Sequence, residues 1–208
     1  MAHGSYGSTL VKITILIEGK TERAFLPFLR AFLQNRLEGR MPRLDPFPCD
    51  GRIPTGEKLR RTVARLLNGG TPSDYVIALT DVYTGTNEFA DAAEAKRKML
   101  EWVKDDRFFP HAAQYDFEAW LLPYWDDIKR LAGSNRTPPA GSPENVNHNK
   151  PPSYHIKELF ESGRAAYVKA RDASRILKGK DLLVSARQCP ELRAFLNRLL
   201  ALSGGEPI

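Results

Sequence analysis

The hydrophobic positions of this chain fall into two kinds of run. Leu10–Ile17 and Tyr75–Thr80 are short and nearly continuous in β-branched and aliphatic residues, the pattern of strands covered on both faces. Other runs repeat every three or four residues, the period of a helix with one buried face. Phe25, Leu26, Leu29, Phe32 and Leu33 keep that period, as do Leu59, Val63, Leu66 and Leu67, which Asn68-Gly69-Gly70 then stops. A long polar helix is expected over roughly Glu88–Lys104. A weaker strand follows over Phe108–Gln114, and Tyr115–Leu122 reads as a strand end passing into a helix start.

Residues Arg40–Pro54 contain four prolines and read as loop, with one short strand around Phe47–Cys49. Thr21 and Ser153 suit helix N-caps, and Glu22 then lies near the positive end of a helix dipole. Pro27 requires the first helix either to start late or to bend. Strand and helix patterns alternate to about residue 125, which predicts an α/β fold with a parallel-rich central sheet flanked by helices. The expected organisation is a flexible arm over 1–9, an α/β core over 10–132, a Pro/Asn/Gly/Ser-rich loop or lid over 133–154, and a helical C-terminal extension over 155–208 packed on the core. In that extension, Leu192–Leu200 offers an apolar face that would suit an interface.

Composition narrows the picture a little. The 208 residues are 42% hydrophobic and 27% charged, enough for a sizeable core and against general disorder. A net charge of +6 and a pI near 9.4 suit a polyanionic partner. Lys58, Arg60, Arg61 and Arg65, however, also fit an ordinary solvated helix face. Cys49 and Cys189 form no disulfide framework and no metal-binding spacing, which points to a reducing, cytoplasmic setting. No apolar run has the length of a membrane span or a secretory signal.

The chemistry gathers where strands end. Glu18 follows the first strand, Asp81 the second, and Asp116 and Glu118 the third, with Glu22 one helical turn beyond Glu18. Right-handed crossovers bring the carboxyl ends of parallel strands to one edge of the sheet, where open α/β folds place their ligands. Carboxylates brought together there repel one another unless a cation joins them, and hard oxygen donors suit Mg²⁺ or Mn²⁺. Each acid taken alone also serves as a helix cap or a solvated turn residue. Lys20, in the first turn after Gly19, and Lys150, at the end of the long loop, are candidates to hold phosphate. His111 and Ser153 stand near these junctions as candidate supports, while Tyr167 and Lys169 stay open between structural and functional roles. Trp102, Trp120 and Trp125 read as packing residues. There is no P-loop, zinc spacing or nucleophile elbow.

The runs Ile17-Glu18-Gly19-Lys20-Thr21-Glu22, Thr80-Asp81-Val82-Tyr83-Thr84-Gly85, Tyr115–Leu122 and Lys150-Pro151-Pro152-Ser153, with Gln188-Cys189-Pro190 near the end, resemble the domain of unknown function 4276 family over about residues 10–200. That resemblance implies a TOPRIM-like core, the module of topoisomerases, primases and overcoming-lysogenization-defect nucleases. It implies that Glu18 matches the TOPRIM glutamate, an acid/base or metal-linked residue, and that Asp81 matches the first acid of an Asp-x-Asp metal motif. The second acid is replaced by Tyr83, a pattern the resemblance makes usual for the family. Glu118 or Asp116 is then the candidate to supply the missing carboxylate. The resemblance also implies an ATPase partner and a part in defence against phage or foreign DNA.

Two readings follow. One is a Mg²⁺- or Mn²⁺-dependent nuclease acting on nucleic acid, with Glu18, Asp81 and Glu118 catalytic and Glu18, Asp81, Asp116 and Glu118 as metal ligands. The other is a non-catalytic module that docks on an ATPase or nucleic acid, or forms a homo-oligomer. Nucleotidyl transfer would share the metal site but lacks a triphosphate-binding motif.

Overall fold

The structure, a computed structural model, describes residues 10–39, 41–82, 88–146 and 150–208. The expected arm over 1–9 and Tyr83 lie outside the described residues. Four strands, β1 (Lys12–Ile17), β2 (Arg43–Pro48), β3 (Tyr75–Asp81) and β4 (Phe108–Ala113), form one sheet in the order β2-β1-β3-β4. All three pairings are parallel. The α/β reading, with helices flanking a parallel sheet, therefore holds.

Alternation along the strands divides the core into two layers. Ile13, Ile15 and Ile17 of β1, with Ile77 and Leu79 of β3, face one cluster; Leu16, Val76 and Ala78 face the other. The first face is covered by α1 (Lys20–Gln34) and by the helices beyond residue 125. These are α4 (Trp125–Ala132), α5 (Pro152–Ser162), α6 (Lys169–Leu177), the short α7 (Leu182–Ala186) and α8 (Pro190–Leu202). The second face is covered by α2 (Gly56–Asn68) and α3 (Ala92–Val103). Leu192, Phe195, Leu196, Leu199 and Leu200 are all within 1% of complete burial. The expected interface on α8 is thus spent inside the molecule, where burying each such side chain contributes about 1.5–3 kcal/mol.

Several local expectations need correction. Helix α1 begins at Lys20, with Gly19 rather than Thr21 at its cap; Glu22 reaches back to accept from the Gly19 amide at 2.8 Å. The helix also continues through Pro27 without starting late, and Pro27 sits with Arg23 on the exposed side. There the carbonyl left without a donor can bond to water. Helix α3 starts at Ala92, later than its polar pattern suggests, because Asp91 caps it by accepting from the Glu94 amide at 2.7 Å. Ser153 lies inside α5, after Pro151 at the cap and Pro152 at the first helical position.

Strand β2 is longer than the expected Phe47–Cys49 segment and forms an edge of the sheet. Arg43 and Cys49 donate their amides to Val11 and Ile17 at 2.8 and 2.9 Å. By the alternation of a strand, Pro46 and Pro48 fall at the positions that face away from β1. Two further contacts position the long connection after α4. The Glu144 carboxylate accepts from Trp120 Nε1 at 3.0 Å and from the amides of Glu191 and Leu192 at the start of α8. Gly163 passes so close to α4 that a Cβ there would lie 1.7 Å from the Ala132 carbonyl oxygen.

Candidate metal and phosphodiester site

The sheet brings the predicted acids together at its carboxyl edge. β1 and β3 are neighbours, with Ile17 opposite Leu79, so Glu18 emerges beside Thr80 and Asp81. The Thr80 hydroxyl donates a short hydrogen bond to Glu18 Oε1, and the Asp81 amide donates to the same oxygen at 3.3 Å. β4 lies on the other side of β3, with Asp81 opposite Ala113. Tyr115 then takes a left-handed backbone conformation, φ +70°, which for a non-glycine costs on the order of 1–3 kcal/mol. This turn sets Asp116 at the cap of a 3₁₀ segment, Phe117–Tyr124, and puts Glu118 in its first turn with no exposed surface.

Each carboxylate is held differently. Both oxygens of Glu118 are engaged: Tyr167 donates its hydroxyl to Oε1 at 3.1 Å, and Lys169 Nζ reaches Oε2 at 3.2 Å. Asp116 Oδ2 accepts from the Ser153 amide at 3.1 Å, while its buried Oδ1 has no hydrogen-bond partner. Glu22 is tied to the Gly19 amide. The Glu18 backbone carbonyl accepts from the Gly51 amide at 2.7 Å.

The electrostatics show that these groups share one site. Burial pushes Glu18 up from 4.5 to about 7; the Thr80 bond opposes the rise and the charge of Glu22 adds to it. Burial pushes Glu118 to about 7 as well, aided by Asp116 and opposed by Lys169. Asp81 keeps some exposed surface, yet its carboxyl is crowded by protein and held well above the usual range. The charges of Glu18, Asp116, Glu22 and Glu118 follow burial as causes. Asp116 and Glu22 are raised for the same first reason, burial. Burial opposes the Lys169 ammonium, but Glu118, Asp116 and Asp81 together keep its pKa above normal. A carboxyl near 7 can take up and release a proton at neutral pH.

The donor set suits a divalent cation. It consists of hard carboxylate oxygens under mutual repulsion, with a buried Asp116 oxygen left unsatisfied. Among the described residues, no three His, Cys, Asp or Glu side chains are placed to hold a metal ion together.

The remaining predicted residues are placed as follows. Lys20 is exposed in the first turn of α1. Lys150 pairs with Glu158 at 3.4 Å and lies 4.2 Å above the Tyr154 ring. Ser153 serves Asp116 through its amide. His111 packs edge-on against Phe195, and burial, then Lys96 and Arg198, hold it neutral with a pKa of about 3. Trp120 and Trp125 are buried. Sequence alone leaves Lys169 and Tyr167 open, because one lysine among many carries no mark of the acid it will meet. Thr80 is read there only as a strand residue, although its position before Asp81 is the available signal.

Comparison with known proteins agrees with this architecture. The C-terminal region of the Burkholderia pseudomallei OLD protein superposes with a TM-score of 0.51 at 14% identity, over 94% of this chain and 99% of that one. The C-terminal region of the Xanthomonas campestris pv. campestris OLD protein gives 0.43 at 14% identity, over 89% and 95%. At these identities the first likeness is one of fold. No curated protein matches the sequence. Among the described residues, no helix is long and apolar enough to cross a membrane. The family model for the domain of unknown function 4276 matches residues 17–200, and the chain belongs to that family.

Proposed function

We propose that this protein is a Mg²⁺- or Mn²⁺-dependent phosphodiester hydrolase acting on nucleic acid, built on a TOPRIM-like core. The observation that carries the reading is the convergence of Glu18, Glu22, Asp81, Asp116 and Glu118 on one sheet edge, where neighbouring carboxylates raise the pKa of Glu18, Glu22, Asp81 and Glu118 beside the Lys169 ammonium. Such an arrangement stores repulsion that a divalent ion would relieve. Asp81, Asp116 and Glu118 would hold the ion, with Glu18 shared between metal contact and proton transfer. When bound, the metal supplies charge neutralisation at a phosphoryl group and lowers the pKa of water.

The chain's own residues do the rest. Glu18, at about 7 and oriented by Thr80 and the Asp81 amide, takes or gives the proton. Lys169, fixed on Glu118 with Tyr167 alongside, offers positive charge to a phosphoryl oxygen. Lys20 and Lys150 would contact phosphate. Cys49 and Cys189 are free thiols, which suits work in a reducing, cytoplasmic compartment. An ATPase partner and a defence role come from the family resemblance.

Calorimetry with Mn²⁺ at pH 8, paired with cleavage of plasmid DNA and of labelled RNA, tests the proposal. Saturable metal binding and metal-dependent cleavage, both lost in Asp81→Asn, are expected. A protein that takes up no Mn²⁺ and leaves both nucleic acids intact would instead be the non-catalytic docking module.

A further inference from the structure

The loop that follows β2 does two jobs. On one side it holds Glu18, whose backbone carbonyl accepts from the Gly51 amide at 2.7 Å, and the Cys49 thiol feels the Glu18 charge. On the other side it forms one wall of an open cleft of about 660 Å³, whose second wall is α2. A smaller cleft of about 460 Å³ shares Lys58, Thr62 and Arg65 with the first and extends it along the helix past Arg61. Lys58, Arg61, Thr62 and Arg65 are spaced three, four and seven residues apart, so they share one face of α2. Leu59, Val63 and Leu67 on the opposite face are buried against the sheet.

Four cations line the combined groove against two acids, Asp50 and Glu57. Arg61 is engaged by Glu57 at 2.8 Å, and Arg52 pairs with Glu88. Lys58 and Arg65 pair with no acid among the described residues. Arg65 lies instead 5.8 Å over the half-buried Phe47 ring. The seven-residue step from Lys58 to Arg65 rises about 10 Å along the helix axis. The groove thus presents two cations paired with no acid among the described residues and an aromatic ring, and it ends at the loop that touches Glu18. Basic residues interleaved with an aromatic platform match a nucleic-acid strand, whose backbone needs charge and whose bases need a stacking surface.

We propose that this groove is a track for a single nucleic-acid strand, in which Lys58 and Arg65 each neutralise a backbone phosphate and Phe47 receives a base, leading the strand to the carboxylate edge at Glu18. The last step rests on the phosphodiester reading; the track itself does not. The test is fluorescence anisotropy with a fluorescein-labelled twelve-nucleotide oligothymidylate in EDTA, so that no metal chemistry intervenes. Lys58→Ala with Arg65→Ala should weaken binding about tenfold at moderate salt. The log–log salt slope should shrink by about 1.4, the value for two phosphate contacts on a single strand. The control Lys178→Ala with Arg187→Ala removes the same charge from exposed positions among the helices on the opposite face of the sheet, and should change binding less than twofold. Phe47→Ala should weaken binding several-fold with the slope unchanged. Circular dichroism of each variant confirms folding, which exposed positions on α2 should leave intact. Equal weakening in the two double variants, an unchanged slope, or no binding by the wild-type protein would each overturn the track. The Mn²⁺ calorimetry and cleavage experiments decide the hydrolase reading independently.

Discussion

Replacing Glu18 by glutamine should make the metal-free protein more stable at alkaline pH and change it little in acid. Glutamine keeps an oxygen for the Thr80 and Asp81 donors and removes only the charge. The wild-type carboxyl is held at about 7 against an ordinary 4.5. The folded state therefore binds a proton that the unfolded chain releases between those values. Stability from this group is complete below about pH 4.5 and is lost as pH rises through 7. At 1.36 kcal/mol per pKa unit the loss amounts to roughly 3 kcal/mol by pH 8 and under about 1 kcal/mol at pH 5. Glu118 titrates in the same site, so the two contributions do not add. Urea unfolding followed by tryptophan fluorescence in EDTA, at pH 5 and pH 8, measures the gap between wild type and variant. A gap of the same size at both pH values would refute the argument that burial and neighbouring carboxylates raise this group. Adding Mn²⁺ at a hundred times its dissociation constant should then stabilise the wild type by about 2.7 kcal/mol, and the variant by less.

Lys169→Met should lower cleavage at least about a hundredfold while costing only about 1 kcal/mol of stability. Its side chain is 52% exposed, which screens its pair with Glu118; parallel cleavage and urea measurements separate the two effects. Glu144→Ala leaves the Trp120 indole and two α8 amides without their acceptor. At about 1–3 kcal/mol for each buried orphan, partly relieved by water, a loss near 3 kcal/mol is expected, read as a melting temperature lower by about 6–12 °C. Gly163→Ala forces a Cβ into the Ala132 carbonyl, where backbone rather than a flexible side chain must move. It should give insoluble protein or rapid proteolysis between α4 and α5.

The parts of this fold that are legible in the sequence are those where one physical requirement dominates. β1 and β3 are central and buried on both faces, so they must be continuously apolar, and the acids that end them stand out by contrast. The periodic face of α2 is visible for the same reason. β2 is harder to read because an edge strand needs no apolar outer face and tolerates Pro46 and Pro48. The start of α1 is displaced because Gly19 lets the chain turn at once and Glu22 supplies the cap from inside the helix. Within the site, the strand-end acids follow from topology. Lys169 does not: it arrives from α6, some fifty residues after Glu118, and nothing local to it signals the encounter. The basic residues of α2 have the opposite history. Their helical period fits an ordinary solvated face, and only the adjoining loop after β2, which touches Glu18, gives that face a direction.

The two prolines of β2 have a consequence for how copies of this molecule can meet. An exposed edge normally offers a row of amide donors to any passing strand, the usual start of sheet-to-sheet aggregation. Here Pro46 and Pro48 remove donors from the outward row, while the inward amides of Arg43 and Cys49 stay bonded to β1. The edge can therefore be open to solvent without templating an intermolecular sheet. Self-association, where it occurs, is directed away from strand addition at β2 and toward helical and loop surfaces, which leaves the groove beside that edge clear of neighbouring chains.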